Sequence, residues 1–244
     1  MGPGQGGAYD GSMKRSALLA VLIVATLAAV AAVWWSTRPP APQASVPAVE
    51  RFEYQADTRP TVEVYGDSIS QGDSSNLSAG DTGPTSWVHH LGGPEGMRFV
   101  GGFAQGGEGA ETIRDYIVGQ HSSDVVIYEI GTNDLRRGVS WDEWAEHTLR
   151  FHEEAAIGDD LFALVLVGPM DDRSAEAIAE WNDRSRELAS EQGWAVLDPW
   201  DGLRDDENRW VPGMAADAVH PNKGGAQVLA ANMAGEVRAA LSGR

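Results

Sequence analysis

The chain contains no cysteine, which removes thiolate nucleophiles, thiolate metal ligands and disulfide staples together. Lysine is nearly missing too. Only Lys14 and Lys223 occur among 18 basic residues, against 36 acidic ones, and the formal net charge is −18. A surface of that sign repels phosphodiester backbones, so no nucleic-acid partner is expected. Five of the six histidines, His89, His90, His121, His147 and His152, lack metal-ligand spacing; His147 and His152, five apart, point to different helix faces. The glycine-rich loop 106–109 lacks the third glycine of a dinucleotide fingerprint and the Lys-Ser/Thr of a phosphate loop. Neither a metal nor a cofactor is expected. No internal repeat is visible.

What is present falls into four parts. Residues 1–16 are Gly-rich and polar, which reads as a disordered tail ending in the basic pair Lys14 and Arg15. Residues 17–35 form a 19-residue run without charge, Gly or Pro. As a helix it spans about 28 Å, close to a bilayer's hydrocarbon thickness. It is expected to be a transmembrane signal anchor, with Lys14 and Arg15 on the cytoplasmic side and Trp34 and Trp35 at the far interface. The competing reading is a cleaved signal peptide, with Ala41 and Ala44 as the small residues of a cleavage site, after which the protein is secreted. Residues 36–58 are a Pro-rich spacer, semi-stiff and extended. Residues 59–244 are left for one folded domain, held at the membrane on its extracytoplasmic side; a monomer is expected.

In 59–244, apolar runs alternate with amphipathic ones. Strands are predicted at 61–65, 97–104, 124–130, 161–167 and 194–197. Helices are predicted at 84–91, 111–118, 140–156, 174–192 and from 221 or 222 to 241. Ser140 with Glu143 has capping-box spacing, and the unbroken apolar run 161–167 marks a central strand buried on both faces. Strands alternating with helices imply right-handed crossovers and a doubly wound parallel sheet. Loops at the C-terminal ends of such strands converge on one edge, where ligands sit.

Those loops hold the chemistry. Gly66, Asp67 and Ser68 follow the first strand, a Gly106 to Thr112 loop follows the second, Gly131 to Asp134 follows the third, and Asp217 to Pro221 precedes the last helix. A serine hydroxyl that attacks an acyl group needs a base, and a neutral imidazole suits that role: His220 is the candidate. Asp217, three residues upstream, can reach the other ring nitrogen and hold the tautomer. An oxyanion needs fixed donors, which the Asn133 amide and the N–H groups of Ser68 and a loop glycine can supply. Asp134 fits a bracing role in its turn.

Gly66-Asp67-Ser68, Gly109, Gly131-x-Asn133-Asp134 and Asp217-x-x-His220 stand in the order and spacing of the SGNH, or GDSL-type, esterase and lipase superfamily, which residues 61–244 resemble throughout. The resemblance implies a flavodoxin-like three-layer α/β/α fold with a five-stranded parallel sheet, and metal-free hydrolysis of carboxylic esters through an acyl-serine. It implies Ser68 as nucleophile, His220 as base, Asp217 as its partner, and Ser68, Gly109 and Asn133 as oxyanion donors. Where family members often carry an asparagine five residues before the second-block glycine, this chain has Ala104, and Gly107 stands beside Gly109 as an alternative donor. The expected substrates are envelope, glycan or small acyl esters. An acyltransferase using the same acyl-serine, or a silent envelope-binding module, are the alternative functions. Trp141, Trp144, Trp200 and Trp210 lie in segments flanking the site, either to stack on sugars or line an acyl pocket, or to pack beneath a loop.

Overall fold

In the computed structural model, residues 57–93, 96–117, 123–157 and 161–243 are described. The proposed anchor, tail and most of the spacer lie outside them. Among the described residues no helix is long and apolar enough to cross a membrane.

Among the described residues five strands form one sheet in the order β2-β1-β3-β4-β5, every pair parallel. They are β1 (Thr61–Gly66), β2 (Arg98–Ala104), β3 (Val125–Glu129), β4 (Leu161–Val165) and β5 (Ala195–Leu197). Between and after them run α1 (Ser68–Gln71), α2 (Ala110–Ile113), α3 (Thr132–Arg137), α4 (Trp141–Glu154), α5 (Ala175–Gln192) and α6 (Lys223–Ser242).

Strand periodicity divides the core in two. Val62 and Val64 of β1, Val125 and Ile127 of β3 and Ala163 of β4 face a layer built from Trp87, Trp200 and the Leu229 and Met233 of α6. Tyr65, Val126, Tyr128, Phe162 and Leu164 face the opposite layer, where Trp144 and Phe151 of α4 and Ile178 and Leu188 of α5 cover them. With a helical layer on each face, the strands are apolar on both sides, as a central parallel sheet requires.

The longer helices carry side-chain caps at their N-termini, the one at Ser140 as its spacing predicts. Ser140 Oγ accepts from Glu143 N at 3.2 Å, Ser174 Oγ from Ala177 N at 3.2 Å, and Asn222 Oδ1 from Gly225 N at 3.0 Å. Three readings need correction. The predicted helix 84–91 is only a 3₁₀ turn at Trp87–His90, and 111–118 breaks into α2 followed by a 3₁₀ turn at Arg114–Tyr116. The Gly131 loop is in fact the start of α3, so Asn133 and Asp134 lie in a helix's first turn, where short polar side chains that cap or bond locally are favoured.

Candidate active site

The strand ends bring the four motif loops to one edge. Directly after β1, Asp67 caps α1 by accepting from Ile69 N at 2.9 Å, which makes Ser68 the first helical residue. The turn is tight enough to require glycine before it: a Cβ on Gly66 would lie 2.3 Å from Ser70 Oγ. Ser68 is half-buried, and its Oγ lies 2.7 Å from His220 Nε2, across 152 residues of sequence.

His220 ends the long loop after β5. Asn222 ties that loop down by donating to Gly213 O at 2.7 Å and Ala215 O at 3.3 Å, and Asp171 N donates to Ala218 O at 2.9 Å. The second ring nitrogen, Nδ1, lies 2.9 and 2.8 Å from the two Asp217 oxygens. Asp217 Oδ1 also accepts the N–H groups of Val219 and His220, each at 2.8 Å. Partial burial pulls the Asp217 carboxyl up, but the Val219 amide, the imidazole and the His220 amide outweigh it and hold it below the usual carboxylate range. An ionised carboxylate only accepts, so Nδ1 carries the proton and Nε2 turns its lone pair toward the Ser68 hydroxyl.

Asn133 is buried at the start of α3. Its Nδ2 donates to Glu108 O at 2.9 Å and to Asp67 Oδ2 at 3.2 Å, so it joins the first, second and third motif loops. Beside it the Asp134 carboxylate accepts Ala110 N at 3.1 and 3.3 Å, so the acid braces the loop as its residue type suggested. Of the three loop glycines, Gly106 N is committed, donating to Gln71 Oε1 at 2.7 Å, whereas the N–H groups of Gly107 and Gly109 both lack a protein acceptor among the described residues; Gly109 adjoins the peptide that Asn133 holds, and Gly107 O accepts from the Arg137 guanidinium.

Beneath these groups lies an acid that sequence reasoning missed. Glu129, 3% exposed, accepts from Ser70 Oγ at 2.8 Å, and Ser70 Oγ accepts from Trp87 Nε1 at 3.0 Å. Burial, then the neighbouring Asp67, pushes the Glu129 carboxyl well above its usual value; burial likewise raises Asp67 and Asp134. The available signal was a charged residue inside the apolar run 124–130. Gln71 had no such signal.

A cavity of about 270 Å³ opens beside the pair, lined by Ser68, Gly72, Asp73, Thr85, Ala216, His220 and Pro221. No indole lines it. Trp144, Trp200 and Trp210 are buried in the two core layers, and Trp141 packs under the Arg184 guanidinium 4.0 Å away, so these rings serve packing. No group of three His, Asp or Glu side chains able to hold a metal occurs among the described residues.

A hydroxyl, an imidazole and a carboxylate in line at the carboxyl edge of a parallel sheet define a serine-hydrolase type of site. The GDSL-like lipase/acylhydrolase family model matches residues 64–228, and the chain belongs to that family. Its fold is that of TesA (19% identity over 73% of this chain and 98% of TesA, TM-score 0.60) and of the psychrotrophic esterase EstA from Pseudoalteromonas sp. (15%, 75% and 99%, 0.59). A member of the lipolytic protein G-D-S-L family from Veillonella parvula DSM 2008 is also similar (18%, 70% and 94%, 0.53). No curated protein matches the chain. Family and fold together make it a hydrolase of the esterase or acylhydrolase class.

Proposed function

We propose that the protein is a serine esterase that cleaves small acyl esters of envelope or glycan alcohols through an acyl-Ser68 intermediate, outside the cytoplasm. The observation that carries the reading is the Ser68–His220–Asp217 line at 2.7 and 2.8 Å. His220 Nε2 takes the Ser68 proton as Oγ attacks the ester carbonyl carbon. The resulting oxyanion is held by the Ser68 and Gly109 N–H groups and Asn133 Nδ2, whose longer contact, 3.2 Å to Asp67, is the one the oxyanion takes over. Collapse breaks the bond to the alcohol, and His220 returns the proton to the departing oxygen. Water, deprotonated by His220, then attacks the acyl-serine and releases the acid.

The alcohol half of that range is supported by the small, partly polar cavity beside the pair, and the short acyl half by the tethered, extracytoplasmic position read from the sequence. The location rests on the sequence: residues 17–35 as a retained anchor, 36–58 as spacer, and 59–244 as a monomeric catalytic domain. Among solved relatives, EstA was captured inhibited by monoethylphosphonate. The test is a panel of short and long acyl esters with the full-length chain. Short esters turn over, and Ser68→Ala lowers kcat/KM by at least about 10⁴-fold. Equal rates in wild type and Ser68→Ala overturn the assignment; a preference for long-chain lipid emulsions overturns the substrate range.

A further inference from the structure

Resting on that reading, we infer that Asp73 is a specificity residue: its carboxylate accepts hydroxyl groups of the substrate's alcohol half, so the enzyme favours acyl esters of sugars or polyols. His220 must give its proton to the departing oxygen, so the alcohol lies on the imidazole's side of Ser68. The cavity found there is lined by Ser68, Gly72, Asp73, Thr85, Ala216, His220 and Pro221. It is therefore the alcohol's subsite.

Asp73 is fixed before any ligand arrives. Its Oδ1 accepts Thr85 N at 2.8 Å and Thr85 Oγ1 at 2.7 Å, while Asp73 N donates to Thr85 Oγ1 at 2.9 Å. These bonds hold its carboxyl below the ordinary value, so it stays ionised. Asp73 is exposed at the cavity's rim, and its Oδ2 has no protein partner among the described residues, which leaves one oxygen for a ligand. A fixed carboxylate at this place repels an anionic alcohol and desolvates poorly against an alkyl chain. It suits a donor. A cationic alcohol is disfavoured by the imidazolium that forms on His220 and by the lack of an aromatic lining residue. Hydroxyls meet neither objection. The volume, about 270 Å³, is just below the 300–1,000 Å³ of typical ligand pockets, and accommodates a single ring or short polyol.

The experiment compares kcat/KM of the full-length chain for 6-O-acetylglucose, ethyl acetate and acetylcholine, in wild type and Asp73→Asn. The asparagine keeps an oxygen for Thr85 and can turn an amide N–H₂ toward the cavity, so it preserves the loop while replacing the acceptor. The ratio of 6-O-acetylglucose to ethyl acetate should fall about tenfold, through KM more than kcat. Asp73→Ser, which shortens the side chain, should move the ratio the same way. An unchanged ratio in folded, active variants overturns the inference and leaves the esterase reading standing. A larger loss for acetylcholine than for the sugar ester overturns it in favour of a cation subsite. A wild type that cleaves none of the three acetates overturns the esterase reading and this inference with it.

Discussion

At the scale of single residues, the site separates groups whose type announces their chemistry from groups that matter only through what they touch. Ser68, His220, Asp217 and Asn133 belong to the first kind, because few side chains can attack, titrate or donate at a strand end; the sequence singled each out as a candidate, and the structure places them at one edge. Glu129, Gln71 and the Asp73–Thr85 clamp belong to the second, since their partners lie 59, 35 and 12 residues away. His220→Ala should lower kcat/KM at least as far as Ser68→Ala, while Asp217→Ala retains measurable turnover because the Ser–His pair and the oxyanion donors survive. Asn133→Ala should cost about 10²–10³-fold in kcat. Glu129 gives a prediction of opposite kind. Its carboxyl is raised above 4.5, so above that pH the unfolded chain releases a proton that the folded one keeps, and wild-type stability falls as pH rises. Asp67 and Asp134, also raised by burial, keep their shares of that slope, whereas Glu129→Gln removes this carboxyl's share. Its stability relative to wild type, followed by urea unfolding from pH 4.5 to 8, should grow by about 1 kcal/mol per pH unit at the steepest point; a constant difference contradicts the buried neutral carboxyl.

At the scale of elements, strands and the longer helices were readable from periodicity, and one helix start from the Ser140 cap. The start of α3 was not, because Thr132, Asn133 and Asp134 are turn-favouring residues and the helix they open is only six residues long. Tertiary packing decides that helix. Gly131 enters it at φ +146°, and a Cβ there would lie 3.1 Å from Val167 Cγ2 and 3.3 Å from Trp181 Nε1. Gly131→Ala should therefore tilt α3 and displace Asn133, costing about 1–3 kcal/mol of stability together with a loss in kcat; unchanged kcat would show the helix start to be tolerant. Asn222 couples another element to the site, since it both caps α6 and ties the loop that carries His220. Asn222→Ala should lose about 1–2 kcal/mol in denaturant unfolding, with kcat reduced more than the lost stability alone explains.

For the whole molecule, alternation of strands and helices was enough to imply the doubly wound sheet, since parallel strands need crossovers and crossovers have one hand. Strand order was not readable from periodicity, which says nothing of neighbours. The excess of acidic residues is a property of the entire chain, and its self-repulsion should ease with screening, so the thermal midpoint should rise between about 10 and 500 mM NaCl. A falling midpoint would mean that ion pairs such as Arg204–Asp198 at 2.7 Å dominate instead. The convergence of four strand-end loops is the central claim, and one labelling experiment reads it directly. Full-length protein treated with a fluorophosphonate and analysed by peptide mass should carry a single adduct on Ser68, lost in Ser68→Ala and strongly slowed in His220→Ala. An adduct on another residue, or ester hydrolysis that survives with Ser68 unlabelled, would contradict it.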